Sequence, residues 1–322
     1  MREFPELIRT ERLLESNSPL LSHRVLATVT TPDHNFPIHA ITIGETKPDL
    51  PTFGLFAGVH GLEKIGTHVC LSFLENLLAQ LTWDKQLQRR FDTMRIVAIP
   101  VINPVGMFMN RRSNYNRVDL MRNAPIEKGE GRSYFLGSGH RLSPYLPWYR
   151  GPEGAPMELE SQTLINFLEQ EMFPAPLSLA LDLHSGYGIQ DSLWYPYGTR
   201  VDDFPFKPQA LAIASILNKT LPHHVYKITA QSDDYVVAGD LWDYALMKFC
   251  DQARDKNHMF LPWTLEMGSW VWVKKNPFQV LSSKGLFNPI QKHRFARIMR
   301  RHLLLLQFFA AALQNSHAWV SP

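Results

Sequence analysis

A chain of 322 residues can bury a sizeable core, and 45% hydrophobic with 20% charged residues is the balance of a soluble globular protein. A net charge of +3 with no long Lys/Arg run gives no nucleic-acid footprint. The longest apolar stretch (303–313) is too short to span a bilayer, and Cys70 and Cys250 lie in apolar surroundings far from any Cys/His cluster. The charged N-terminus, MREFPELIRTERLLES, lacks the apolar region of a signal peptide, so a soluble protein of a reducing, cytoplasmic compartment is expected.

Residues 5–16 have the spacing of an amphipathic helix, and RVLATVTT and PIHAITIG predict two strands joined by a PDHNF turn. PTFGLFAG (51–58) is a nearly continuous apolar run, as in a strand buried on both faces. Helical spacing follows over 62–80, and MRIVAIPVIN (94–103) predicts another buried strand. Residues 103–156 lose apolar periodicity and fill with Asn, Arg, Gly and Pro, which predicts a long functional loop. Helix returns at 157–171, followed by the strand LSLALDLH (177–184), the strand SLWYPYG and a helix over 208–219. The strand HHVYKI, the helical DLWDYALMKF, the strand LPWTLEM and a long helix over 289–314 complete the chain. Strands alternating with helices, without repeats or a composition break, predict a single α/β domain with a mixed, mostly parallel central sheet flanked by helices.

In such a sheet, ligands sit at the carboxyl ends of the strands. His60 ends the 52–57 strand, the Asn/Arg-rich segment follows 94–101, His184 ends 177–183, and Glu266 ends 261–265. His60 and Glu63 form a His-x-x-Glu pair that chance supplies often in a chain with 13 histidines, so its partners decide its meaning. With His184, it makes two imidazoles and one carboxylate, a donor set suited to a catalytic zinc that keeps a position open for water.

Several segments carry a resemblance to the zinc carboxypeptidases and the wider group that includes aspartoacylase-like deacylases. These are GVHGLE, NPVG at 103–106, RRSNYNRVDLMRN at 111–123, YRGPEGAPMELESQTLINFL, LDLHSGYGIQDSLWYPYG, YVVAGDLWDYA and WTLEMG. They run in the family's order from about 52 to 270. The resemblance implies an α/β fold of the zinc carboxypeptidase type, with an N-terminal helix and strands (1–45) leading into a catalytic core and C-terminal helix (46–316). It implies one zinc per chain held by His60, Glu63 and His184, where bound water is acidified toward ~7. Glu266 is then the general base, Arg112 the oxyanion stabiliser, Arg122 the clamp on a substrate carboxylate and Tyr235 a closing hydrogen-bond donor. Asp119 is the acceptor behind His60.

Two positions depart from the pattern. Met121 stands where the family carries an asparagine that grips the terminal carboxylate, and a thioether donates no hydrogen bond. Trp242, just before Asp243, falls where carboxypeptidases shape the terminal side-chain pocket, and its indole is expected to narrow it. The expected activity is hydrolysis of an amide bond beside a free carboxylate, in a peptide or an acyl-amino acid. The alternatives are an N-acyl amino-acid deacylase and an inactive relative that binds peptides or a partner. The segment 129–140 lacks the phosphate-loop pattern, and His68, His140, His223 and His224 carry no assigned chemistry. Trp263, Trp270 and Trp272 are expected in the core or the pocket wall.

Overall fold

The computed structural model describes residues 3–186, 188–252, 257–270, 274, 278 and 283–320. Helix α1 (Pro5–Leu14) precedes strands β1 (Leu21–Thr30), β2 (Asn35–Ile43) and β3 (Thr52–Ala57). Helices α2 (Lys64–Leu81) and α3 (Lys85–Arg90) lead to β4 (Arg95–Ile99) and α4 (Pro104–Met109). After a 3-10 turn at Leu120–Arg122 come α5 (Leu159–Glu171), β5 (Leu177–Ser185), β6 (Ser192–Tyr195), α6 (Lys207–Thr220) and β7 (Lys227–Ala230). Helix α7 (Leu241–Gln252), β8 (Met259–Met267), a short helix Ser283–Phe287 and the C-terminal helix Lys292–Gln314 follow.

The eight strands form one mixed sheet in the order β1-β2-β4-β3-β5-β8-β6-β7. Its centre, β4-β3-β5-β8, is parallel, whereas β1, β2 and the β6/β8 pair are antiparallel. Every residue of β3 and β5 is buried, which explains their unbroken apolar runs. Phe53 and Phe56 show what covers the two faces, since residues an odd number apart along a strand point opposite ways. Phe53 packs on Phe73 of α2 and Phe309 of the C-terminal helix, while Phe56 packs on Phe167 of α5 and Trp242 of α7.

The elements follow the predicted order apart from the added short helix α3; β6 stops at Tyr195 rather than at 198, and three of the other shifts of boundary have a visible reason. The β4 ladder stops at Ile99 because Pro100 has no N–H, although Ile102 and Asn103 donate to the carbonyls of Ala57 and Gly58. The strand expected at 223–228 pairs only from Lys227, because its one neighbour, β6, begins at Ser192, opposite Lys227. The last helix begins at Lys292 rather than 289, after Asn288 has turned back to bond Leu62 and Ile65. Within 103–156, one helix forms where Asn103 caps Gly106 N–H at 2.8 Å and Pro104 fits the first turn. Trp263 is core, Trp270 is half exposed, and Trp272 lies outside the described residues.

Candidate active site

Strand β3 ends at Ala57, and Gly58 (φ +70°) turns the chain into His60 and Glu63 before α2 starts. A side chain at Gly61 would place its Cβ 2.0 Å from the Gly106 carbonyl carbon, so the His60 turn rests directly on α4. Glu63 occupies the N-cap of α2 but makes no cap hydrogen bond. Its carboxylate is used elsewhere: Oε2 accepts from Ser185 N–H at 2.9 Å, and Oε1 accepts from Arg112 at 3.2 Å. Asn288 supplies the missing cap by accepting from Ile65 N–H at 3.0 Å.

His184, at the end of β5, closes the cluster. One ligand atom from each of His60, Glu63 and His184 lies within 4.8 Å of the others, and all three residues are buried. His184 Nε2 lies 2.6 Å from Asp182 Oδ2, which leaves Nδ1 facing Glu63 Oε2 at 3.3 Å. Burial opposes charge on His184, yet Asp182 and Glu63 outweigh it and raise its pKa well above the ordinary value. For His60, burial comes first and Arg112 adds to it, so its pKa falls well below the ordinary value. His60 Nδ1 is buried without a hydrogen-bond partner, 3.6 Å from Asp119 Oδ1. Two buried imidazoles and a carboxylate, one ring already oriented by an aspartate, are a donor set that fits zinc.

Arg112 spans this cluster. Its guanidinium meets Asp119 Oδ2 at 2.7 Å, Glu63 Oε1 at 3.2 Å and His60 Nε2 at 2.6 Å. Asp119 therefore bonds Arg112 more closely than His60, and its Oδ1 also accepts from Met121 N–H. The Arg/Asn segment is fixed from α5: Asn114 donates to Glu158 and Glu160, and Glu158 N–H donates to Asn123.

On β8, Glu266 sits in parallel register opposite His184. A cavity of about 730 Å³ joins these residues to Met121, Arg122, Tyr235 and Asp240. Arg122 is buried in the 3-10 turn, Nη1 on its neighbour's carbonyl and Nε without a partner. Gly239 (φ +74°) packs so closely on Arg122 that a Cβ there would lie 2.0 Å from its carbonyl oxygen. Burial pushes the Tyr235 hydroxyl up to about 12, and its ring leans on Tyr134 and Trp194. Phe135 and Trp270, 89% and 54% exposed, form an apolar mouth.

Trp242 does not behave as expected. It is not among the residues lining the cavity; its ring packs on Phe56 and its Nε1–H donates to Asp182 Oδ2 at 2.8 Å. The side chain on that wall is Asp240, whose Oδ1 accepts from Trp242 N–H and Asp243 N–H and so starts α7. Asp182 and Asp240 escaped sequence reasoning, though an aspartate inside the otherwise apolar LSLALDLH is itself a signal.

The sheet thus brings two imidazoles and two carboxylates to adjoining strand ends, a metal-ligand set beside an acid–base group. The chain matches the zinc carboxypeptidase family over residues 13–268 and belongs to that family. It is 24% identical to rat carboxypeptidase A2 over 193 residues, 57% of this chain and 45% of the relative. With mouse carboxypeptidase M it shares 30% identity over 98 residues, 26% of this chain and 22% of the relative. The matched segments thus span less than half of those curated relatives. Among solved structures, bovine thrombin-activatable fibrinolysis inhibitor, in complex with tick carboxypeptidase inhibitor, superposes with a TM-score of 0.61 at 15% identity. That match covers 98% of this chain and 95% of the other. Carboxypeptidase A from Helicoverpa armigera gives 0.56 at 18% identity, covering 94% and 71%. Both show the same fold.

Proposed function

We propose that this chain is a zinc-dependent carboxypeptidase-like metallopeptidase that hydrolyses the amide bond next to a free C-terminal carboxylate. The observation that carries the reading is one cavity holding the His60–Glu63–His184 cluster, the neighbouring carboxylate Glu266 and the buried cation Arg122. His60, Glu63 and His184 would hold the ion, which would supply Lewis acidity and an acidified water. Arg122, on the cavity wall, presents its guanidinium to the terminal carboxylate. Tyr235, kept neutral by burial, donates its hydroxyl proton as a hydrogen bond to the substrate. Glu266 takes the proton of the attacking water and returns it to the leaving amine. Arg112 faces the same space and stabilises the oxyanion once its contact with the His60 lone pair is given up.

Among the described residues no helix is long and apolar enough to cross a membrane. Both cysteines are free, consistent with a reducing, cytoplasmic compartment. Paired peptides with free and amidated C-termini, assayed beside N-acyl amino acids, test the activity. We expect cleavage of free peptides alone; equal cleavage of amidated peptides, or cleavage confined to N-acyl amino acids, overturns the peptidase assignment. Glu266→Gln is expected to lose roughly 10²–10⁴-fold in kcat while metal analysis still finds one ion per chain. Retained turnover would remove Glu266 from the role of base.

A further inference from the structure

The indole of Trp242 has no place in the chemistry proposed above, yet it ends on the carboxylate behind a metal-ligand histidine. Asp182 Oδ2 receives His184 Nε2 at 2.6 Å and Trp242 Nε1–H at 2.8 Å, while Oδ1 is buried without a hydrogen-bond partner. Both contacts therefore fall on one oxygen, and they come from different elements, β5 and the first turn of α7. Resting on the zinc reading of the cluster, we propose that Trp242 is a positioning residue for the metal site. Its N–H fixes the rotation of the Asp182 carboxylate, and that carboxylate fixes the His184 ring with Nδ1 toward Glu63.

A carboxylate has a broad terminal torsion, so a single histidine contact leaves it free to rock. A second donor on the same oxygen holds it. The indole is itself placed at both ends: its backbone N–H donates to Asp240 Oδ1 at 2.9 Å, and its ring lies 5.1 Å from that of Phe56. Trp242, Asp182 and Phe56 are each less than 5% exposed, so water does not replace a lost indole N–H. Groups behind a metal-bound histidine commonly tune affinity because they set its tautomer and orientation. Here the chain extends that support by one residue, from His184 through Asp182 to α7.

The test is a zinc-affinity cycle on the full chain, read by chelator competition and by the rate of zinc loss, so it does not depend on turnover. Asp182→Asn is expected to weaken zinc binding roughly 10–100-fold, and Trp242→Phe roughly 3–10-fold. Phe167→Leu, which alters the same core one ring further away and does not touch Trp242, is expected to leave affinity within twofold. Trp242→Phe added to Asp182→Asn is expected to cost nothing further. Placing benzothienylalanine at 242, which keeps the ring shape and lacks the N–H, covers the case in which Trp242→Phe does not fold. Unchanged affinity in the N–H-less proteins, or the same loss in the Asp182→Asn background, overturns the proposal. If the unmutated chain binds no zinc, it is the reading of the cluster that fails, which separates the two.

Discussion

Met121 and Asp240 both line the cavity, and at Met121 the resemblance leads one to expect an asparagine. Met121 spends its backbone N–H on Asp119 and offers the cavity only a thioether, so on the proposed reading Arg122 would hold a terminal carboxylate without amide help. Met121→Asn is expected to lower KM for peptides with a free C-terminus about 3- to 10-fold, the worth of one hydrogen bond to a charged group. Steady-state kinetics on one peptide series checks it. Asp240 presents a buried carboxylate to the same space, where a like charge would lack solvent screening. Peptides ending in Glu are therefore expected to show kcat/KM at least about tenfold below those ending in Gln, and Asp240→Asn should narrow that gap. The candidate ligand cluster was legible at this scale because His60 and His184 follow or end apolar strands whose carboxyl ends lie side by side, with Glu63 three residues beyond His60. Asp182 and Trp242 were not, since a pair 60 residues apart is joined only by the packing of α7 on the sheet.

The C-terminal helix is tied to the strand carrying Glu266 by a buried polar cluster. Asp191 accepts from Gly268 N–H at 3.0 Å and from Arg301 at 2.6 Å. His302 lies 3.0 Å from the Tyr226 hydroxyl through Nδ1 and 3.7 Å from Asp191 through Nε2. Burial lowers the His302 pKa to about 4 from 6.5, against Asp191 and alongside Arg301. Between those values the unfolded chain binds the proton and the folded chain does not, so stability falls as pH drops from about 6.5 toward 4. The contribution is on the order of 3 kcal/mol, and His302→Gln should flatten the Tm slope across that window. Elements with one dominant period were legible, as α2 and β5 show. The start of β7 was not, because an edge strand's length is set by its neighbour β6 rather than by its own residues.

Across the molecule, alternation of strands and helices announced an α/β sheet, but the order of the strands depends on crossovers that no local pattern encodes. The long segment after α4 looked structureless because its order comes from side chains. Arg150 donates to the carbonyls of Arg122, Ala124 and Ile126 and pairs with Glu127, while Asn123 donates to Arg150's own carbonyl. Arg150→Met leaves the Arg122 carbonyl without a donor, while Ala124 and Ile126 keep the N–H groups of Ile126 and Gly239, and is expected to destabilise the chain by about 1–3 kcal/mol in urea unfolding. KM should rise with little change in metal content, because the segment frames Arg122 rather than the ligands.

The contact between Gly239 and the Arg122 carbonyl has a consequence for any attempt to alter substrate choice. The loop bearing Tyr235 and the turn bearing Arg122 meet there with no room for a methyl group, so neither can shift without carrying the other. Insertions or substitutions that reshape one wall should therefore change peptide affinity and closure together, and libraries that vary the two stretches jointly should yield more active variants than libraries that vary either alone.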